Sequence, residues 1–238
     1  MLNQLDIYLR SADISPLHSD LGIKIHGFIM SKINTTYANF LHTQEPRPFS
    51  LFVYNSGYGF VCRISTLNDE ALQVINMLEN IDKIIVYGID KSLFVEKIDR
   101  CNSINVAEIS NIMTKKKYTI DIITPATRKT TGEYTNPPDL CKYFNSVASK
   151  LKFYEKISIE NSELEELFSN IKMNKYSFES KNFMLGGKNI PSMTGNCDIT
   201  INSNGEQLKK IKLLLGYASY SGIGAKTSLG MGGFLVRM

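Results

Sequence analysis

The spacing of apolar residues near the start of the chain predicts strands and helices in a fixed order. Apolar and polar residues alternate in LDIYLRS, as in a half-buried strand, whereas residues 24–41 carry apolar side chains at helical spacing. PFSLFVY and YGFVCRIS are predicted as the two strands of a hairpin, because the turn sequence Asn55-Ser56-Gly57 separates them.

A second helix and a fourth strand follow this hairpin. Asn68 is a favourable N-cap for the helix NDEALQVINMLENI, whose apolar residues form one face, and KIIVYG is predicted as the next strand. The resulting order, β-α-β-β-α-β, is the split βαβ pattern of a ferredoxin-like domain.

The rest of the chain is predicted to form a less regular unit of the same kind. Helices are expected where apolar residues recur every three or four positions, and strands where they alternate with polar ones. In chain order we predict strand, strand, helix, helix, strand, strand and helix, for VAEISNIM, YTIDIIT, NPPDLCKYFNSVASKLKFY, SELEELFSNI, YSFESKNFML, CDITIN and GEQLKKIKLLLGYAS. Asn204 is expected to cap the last helix, and a glycine-rich loop and a final strand follow.

We therefore predict an α+β fold of two tandem ferredoxin-like (βαββαβ, RRM-like) domains, residues 1–102 and 103–238. A chain of 238 residues with 43% hydrophobic residues is long enough for two such cores. No low-complexity linker marks the boundary, so we expect the two domains to pack tightly.

Composition excludes several classes of function. No stretch approaches the roughly 20 apolar residues of a membrane span, and the first residues lack the apolar run of a signal peptide, so we expect a cytoplasmic protein with no membrane partner. The four cysteines form no CxxC pair and only three histidines occur, which predicts no metal site, no disulfide framework and no cofactor. The net charge of +4 permits a polyanionic partner without demanding one.

Residues 221–233, SGIGAKTSLGMGG, hold five of the chain's 16 glycines. A Walker loop is excluded because Ala225 precedes Lys226 and the order is helix, loop, strand; a dinucleotide fingerprint is excluded because Thr227 occupies its last glycine position. What remains is a loop whose glycines permit positive φ and let backbone amides approach an anion, with Lys226, Thr227 and Ser228 as further donors. The alternative is a glycine-rich turn that only joins the helix to the strand.

Three segments occur in an order that is more specific than any one of them. They are the first helix with the start of the hairpin, the basic stretch with the helix after it, and the glycine-rich end: IHGFIMSKI with ANFLHTQEPRPFSLF, ITPATRKTTGEYTNPPDLCKYFNSV, and SGIGAKTSLGMGG. Over nearly the whole chain they resemble the motifs of the RAMP superfamily, and specifically of the CRISPR precursor-RNA processing endoribonuclease often called Cas-six.

This resemblance implies a fold and an activity. The fold is two tandem ferredoxin-like domains, in agreement with the order of elements above. The implied activity is metal-independent cleavage of CRISPR repeat RNA (pre-crRNA) by 2′-hydroxyl attack on the adjacent phosphate, which leaves 2′,3′-cyclic phosphate and 5′-hydroxyl ends. Such chemistry requires a base, an acid and a cation or donor for the phosphorane charge. The implied partner is CRISPR repeat RNA, and other CRISPR effector subunits are further candidate partners.

The resemblance also indicates catalytic residues. His42 stands where the family has a catalytic histidine and Arg47 where it often has a basic residue; an imidazole suits proton transfer near neutral pH. Met30 replaces a tyrosine of several members, so His26 or Tyr37 is the candidate second proton-transfer group. The alternatives are a helix-capping His42, a solvated Arg47 and a core or capping His26.

RNA contacts are expected mainly to phosphates, which position the RNA without reading its sequence. The candidate residues are the two basic runs and the glycine-rich motif: Lys115, Lys116, Lys117, Arg128, Lys129, Gly222, Gly224, Lys226, Thr227, Ser228, Gly230 and Gly232. Tyr134 is a candidate for stacking on an unpaired base. The alternative for the lysine run is a solvated turn.

We predict a CRISPR repeat endoribonuclease with His42 as the principal acid or base. Two other functions stay open at this point. The first is a catalytically silent RAMP-type subunit that holds crRNA in an effector complex. The second is a ferredoxin-like regulatory protein that binds a small anionic metabolite.

Overall fold

Five strands from the first hundred residues form one antiparallel sheet. They are β1 (Asn3–Arg10), β2 (Phe49–Asn55), β3 (Phe60–Thr66), β4 (Lys83–Val86) and β5 (Lys91–Arg100). Their order in the sheet is β2-β3-β1-β5-β4. The structure, a computed structural model, describes residues 1–10, 21–56, 59–86, 91–137 and 139–237.

The closing strand of this ferredoxin pattern is not the predicted one. KIIVYG contributes β4, but β4 lies at the edge of the sheet, whereas β5 pairs with β1. With ten residues β5 is long enough to pair along β1, and β4 has only four. The predicted hairpin of β2 and β3 is confirmed. Gly57 of its turn, and Tyr87 and Gly88 of KIIVYG, lie outside the described residues.

The helix predicted over 24–41 is two helices, α1 (Leu21–Lys32) and α2 (Thr35–Thr43). Asn34 separates them with φ −54° and ψ 134°, and its side chain accepts a hydrogen bond from Thr36 N at 2.8 Å. This N-cap contact begins a new helix, so the single helix of the prediction was wrong at this point.

The next predicted helix is confirmed in place but not in length. Only Leu72–Asn76 forms the helix α3, and turns flank it. The predicted N-cap Asn68 was wrong, because the N-cap of α3 is Ala71; Asn68 Oδ1 accepts a hydrogen bond from Ala71 N at 3.0 Å in the turn before the helix.

The second half of the chain forms another antiparallel sheet and a small hairpin. Its strands are β6 (Lys117–Ala126), β7 (Arg128–Thr130), β8 (Glu133–Thr135), β9 (Ile171–Leu185), β10 (Lys188–Ile201) and β11 (Phe234–Arg237). The sheet order is β11-β6-β10-β9, and β7 pairs with β8. The predicted α+β fold of tandem ferredoxin-like units is confirmed, while the boundary between residues 102 and 103 stays a prediction.

One segment predicted as a strand is helical. VAEISNIM forms a 3₁₀ turn (Val106–Glu108) and the short helix α4 (Ile109–Ile112). The prediction was wrong because Asn105 and Glu108 form a capping box: Asn105 Oδ1 accepts from Ala107 N at 3.0 Å, and the Glu108 carboxylate accepts from Asn105 N at 3.3 Å. These contacts stabilise a helix start.

The other three helices of this half are confirmed as α5 (Leu140–Lys150), α6 (Asn161–Ser169) and α7 (Gly205–Ser221). A π-helical turn, Leu151–Glu155, extends α5. Asn204 lies at the predicted N-cap of α7, but the described contacts of its side chain are not capping ones. Its Oδ1 accepts from Lys116 Nζ at 2.6 Å.

The glycine loop, defined as residues 222–233, joins α7 to β11 and packs where the two units meet. A Cβ on Gly22 of α1 would lie 2.6 Å from Gly230 Cα, and one on Gly233 would lie 2.8 Å from the Phe52 ring of β2. Glycine permits these approaches because it has no Cβ. Each unit has its own apolar core. Within the described ranges, no helix is long and apolar enough to cross a membrane.

Candidate functional site

A pocket of about 370 Å³ opens between α1, the segment before β2, α5 and the glycine loop. Imidazole, cationic and hydroxyl side chains from both units line it, together with one carboxylate. They are His26, Glu45, Arg47, Lys129, Ser146, Ser149, Lys150, Lys226, Thr227 and Ser228. The excess of cations suits a polyanionic ligand.

His26 of α1 connects the two units at this pocket. Its Nδ1–H donates to the Ser228 carbonyl oxygen at 2.9 Å, and its ring stacks on Phe49 with centroids 5.8 Å apart. Because a carbonyl oxygen only accepts, Nδ1 carries the proton and Nε2 of the neutral ring carries a lone pair. The pKa of His26 is lowered to about 4, chiefly by burial and to a smaller extent by the nearby Arg47 and His42, while the hydrogen bond to Ser228 opposes the shift. The imidazole is therefore neutral at pH 7.

Arg47 is held at the pocket by its own loop. Nη2 donates to the His42 carbonyl oxygen at 3.0 Å, and Nε lies 3.5 Å from Glu45 Oε1. Nη1 is buried and has no hydrogen-bond partner among the described residues. Part of the guanidinium is thus left to contact an anion in the pocket.

The other two predicted catalytic residues lie on α2, outside the pocket lining. His42 is exposed in the last turn, but its charge contributes to the lowered pKa of His26, so the two imidazoles are within electrostatic reach. Tyr37 is 7% exposed and belongs to the core of the first unit, and burial raises its pKa to about 12. Five helical positions correspond to about 140° of rotation. Tyr37 and His42 therefore face different sides of α2.

Lys150, the last residue of α5, was missed by the sequence analysis. It is 5% exposed, and its Nζ donates to the Ser221 carbonyl oxygen at 2.5 Å and to Thr227 Oγ1 at 2.8 Å. Burial lowers its pKa to about 7. A signal was present, because Lys150 follows Tyr143 and Val147 at helical spacing on the buried face of α5.

Lys226 has an unusual backbone conformation for its residue type. Its φ of 62° and ψ of 31° lie in the left-handed region, which costs a non-glycine residue on the order of 1 kcal/mol. The side chain is half-buried and lines the pocket. Surrounding contacts therefore maintain this lysine in a strained position at the pocket.

The candidate glycines of the loop adopt backbone conformations that favour glycine, and most of their amides form hydrogen bonds within the protein. Gly222, Gly224, Gly230 and Gly232 have positive φ between 65° and 98°, as the motif predicts. The amides of Gly222, Gly224 and Gly232 donate to protein carbonyl oxygens. A Cβ on Gly224 would lie 2.2 Å from Thr127 O. These three amides are thus engaged inside the protein and are not free to contact an anion.

This chain is similar to known proteins over the residues that form the pocket. The model of the family described as CRISPR-associated endoribonuclease Cas6 matches residues 120–234. A CRISPR-associated endoribonuclease Cas6 of Streptococcus thermophilus is 28% identical over 223 residues, which are 90% of each chain. Both matches are to Cas6 endoribonucleases, so this chain is similar to that family. The resemblance to Cas6 was predicted from sequence motifs, and the similarity to these relatives supports an endoribonuclease.

Solved structures share the fold. A Cas6 product complex matches with a TM-score of 0.81 at 16% identity, covering 100% of both chains. A structure titled as a RAMP protein binding different RNA substrates matches with a TM-score of 0.61 at 13% identity, covering 99% of both. The Cas6 fold thus extends over both units, beyond the part that the family model matches.

The two predicted basic runs lie at opposite ends of β6. Lys129 lines the pocket, its Nζ lies 5.7 Å from the Tyr134 ring centroid, and an adjoining groove is lined by Arg128 and Lys142. The exposed run 115–117 lies at the other end, roughly 33 Å along the strand from residue 127. Of the two basic runs, Arg128–Lys129 lies at the pocket and 115–117 does not.

In the described part of the chain, no group of three or more His, Cys, Asp or Glu residues could hold a metal ion. All four cysteines are free thiols.

Proposed function

We propose that this endoribonuclease cleaves CRISPR repeat RNA (pre-crRNA) without a metal ion. The 2′-hydroxyl attacks the adjacent phosphate and the 5′-oxygen departs, which leaves 2′,3′-cyclic phosphate and 5′-hydroxyl ends. The observation that carries the proposal is the pocket itself, where a neutral imidazole from one unit faces cations from both. This combination supplies proton transfer and charge stabilisation at one place.

The two histidines divide the proton transfers in this proposal. His26 is neutral at pH 7 and its Nε2 has a free lone pair, which suits acceptance of the 2′-hydroxyl proton. His42 is exposed at the end of α2 and then donates a proton to the departing 5′-oxygen. Tyr37 takes no part, because its hydroxyl is buried in the core.

The cations act on the charge that develops at the phosphorane. Arg47 offers the unpartnered Nη1, and Lys226 and Lys129 line the same pocket. Donors fixed before the reaction stabilise such charge without reorganising. The flanking RNA backbone follows the adjoining groove toward Arg128 and Lys142. Action in the cytoplasm and association with other CRISPR effector subunits belong to the same proposal.

The test is cleavage of RNA transcribed from the accompanying CRISPR repeat, in EDTA. We expect one specific cut with a 2′,3′-cyclic phosphate end, and no cut when the nucleotide at that site is 2′-deoxy. His42→Ala should stop cleavage and leave affinity nearly unchanged. Thr43→Ala, at the neighbouring exposed position, is the matched control. A requirement for added metal, or cleavage of the deoxy substrate, would refute the mechanism.

The same assay distinguishes the other two functions. A silent RAMP-type subunit would bind the repeat RNA tightly and never cut it. A metabolite-binding regulator would show no salt-dependent affinity for RNA, because it makes no row of phosphate contacts.

A further inference from the structure

The glycine loop is fixed near its ends by backbone hydrogen bonds. Ile223 N donates to Gly232 O at 2.9 Å, and Ala225 N donates to Thr127 O at 2.8 Å. The apex, defined as residues 226–228, lies between these contacts and contains the strained Lys226. A 3₁₀ turn closes the apex, with Leu229 N donating to Lys226 O at 2.9 Å, and contacts from outside the loop fix its position further.

Two side chains from different units reach the apex. Lys150 Nζ of the second unit donates to Thr227 Oγ1 at 2.8 Å, and His26 Nδ1 of the first unit donates to Ser228 O at 2.9 Å. Thr227 and Ser228 are 5% and 4% exposed, so water has little access to these contacts. Hydrogen bonds in such surroundings are strong and costly to leave unmade.

Lys150 is built into this position. Its second contact, to Ser221 O, is at the last residue of α7, where the helix dipole favours a cation. The π-helical turn Leu151–Glu155 begins directly after it, and such turns are frequent at functional sites. Burying an ammonium is unfavourable unless its donors are satisfied. The contact with Thr227 therefore satisfies a donor of the buried Lys150 ammonium, and the same contact fixes the Thr227 side chain.

We propose that Lys150 is a positioning residue for RNA cleavage. It holds the apex through Thr227, so that the Ser228 carbonyl oxygen accepts the hydrogen bond from His26 and Lys226 lines the pocket. Lys150 would act without touching the substrate: it fixes Thr227, the next carbonyl fixes the His26 ring, and Nε2 is left as the proton acceptor. The inference rests on the proposed function of the pocket.

The first test uses the protein without RNA. The pKa of His26 is measured by NMR from the titration of its ring protons in wild type, Lys150→Met, Thr227→Val and Thr227→Ser. Release of the apex should hydrate the imidazole and raise this pKa from about 4 toward 6.5 in Lys150→Met and Thr227→Val. Thr227→Ser keeps the hydroxyl and should titrate like wild type. An unchanged His26 pKa in Thr227→Val would refute the positioning role of Lys150.

The second test separates rate from affinity. We expect Lys150→Met and Thr227→Val to lower the single-turnover cleavage rate on the order of 10- to 100-fold through misplacement of the reacting groups. RNA affinity should change by less than about threefold, because the charges at the surface stay. The double variant should be no slower than the slower single variant, since both changes break one contact.

The outcomes are distinguishable. Suppose that Lys150→Met lowers the cleavage rate, and that the rate effects of Lys150→Met and Thr227→Val simply add in the double variant. Lys150 then acts through its own charge, and the positioning role is wrong. If Lys150→Met does not fold, the Thr227 variants decide alone. If wild type cleaves no repeat RNA, the proposed function fails, and the His26 titration still decides whether Lys150 holds the apex.

Discussion

At the scale of single residues, His26 gives folding a pH dependence of definite sign. Burial lowers its pKa from 6.5 to about 4, so between these values the unfolded chain binds more protons than the folded one. The stabilisation is complete above pH 6.5 and is lost as the pH falls toward 4. A difference of this size corresponds to about 3 kcal/mol.

His26→Asn should remove this dependence. We expect the free energy of unfolding of wild type to fall by about 3 kcal/mol more than that of the variant as the pH is lowered through this window. Urea denaturation at several pH values measures both curves. Parallel curves would show that the imidazole titrates normally in the folded protein.

Two lysines with the same backbone conformation allow a matched test of the glycine loop. Lys226 and Lys156 have φ of 62° and 60°, but only Lys226 lines the pocket. Replacement by Gly relieves the strain at both positions, so neither variant should lose stability. Lys226→Gly alone should weaken RNA binding and reduce the log-log salt slope by about one. Fluorescence anisotropy at several salt concentrations measures this, and equal effects of the two variants would contradict the expected role.

At the scale of elements, local pattern predicted most of the fold and only part of the site. The long helices α5, α6 and α7 follow from apolar spacing, whereas VAEISNIM was mistaken for a strand because its capping box outweighs a short apolar pattern. Lys226 and Lys129 were found within motifs. The bond from His26 to Ser228 spans 202 positions, and no local pattern can indicate it. Lys150 was missed because it is a single polar residue on a buried helix face.

The packing of α1 on the glycine loop offers a second matched pair. A Cβ at Gly22 would meet Gly230 Cα at 2.6 Å, whereas one at Gly27 of the same helix would have no atom within 4 Å. Gly22→Ala should therefore lower the free energy of unfolding by about 1–3 kcal/mol, because backbone must move. Gly27→Ala should raise it by about 0.5–1 kcal/mol through helix propensity. Denaturant unfolding of both measures this, and a tolerated Gly22→Ala would show that the loop does not press on α1.

At the scale of the whole molecule, the pocket depends on both ferredoxin-like units. The first supplies His26 and Arg47, and the second supplies Lys129, Lys150 and Lys226. The two units thus bring different groups to the pocket, with the imidazole from one and cations from both. Close packing of the glycine loop against α1 and β2 brings these groups together.

The positions of the two basic runs allow a test of whether RNA affinity depends on contacts at the pocket or on the net charge of the protein. Arg128→Ala with Lys129→Ala lowers the net charge from +4 to +2, and replacement of all three lysines of 115–117 lowers it to +1. At 0.1 M salt the screening length is about 10 Å, and the run 115–117 lies roughly 33 Å along β6 from the pocket. The double variant should therefore weaken binding of the repeat RNA more and reduce the salt slope by about two. Affinities measured across a salt series decide the matter: a larger loss in the triple variant would mean that RNA extends along the whole sheet or responds to net charge alone.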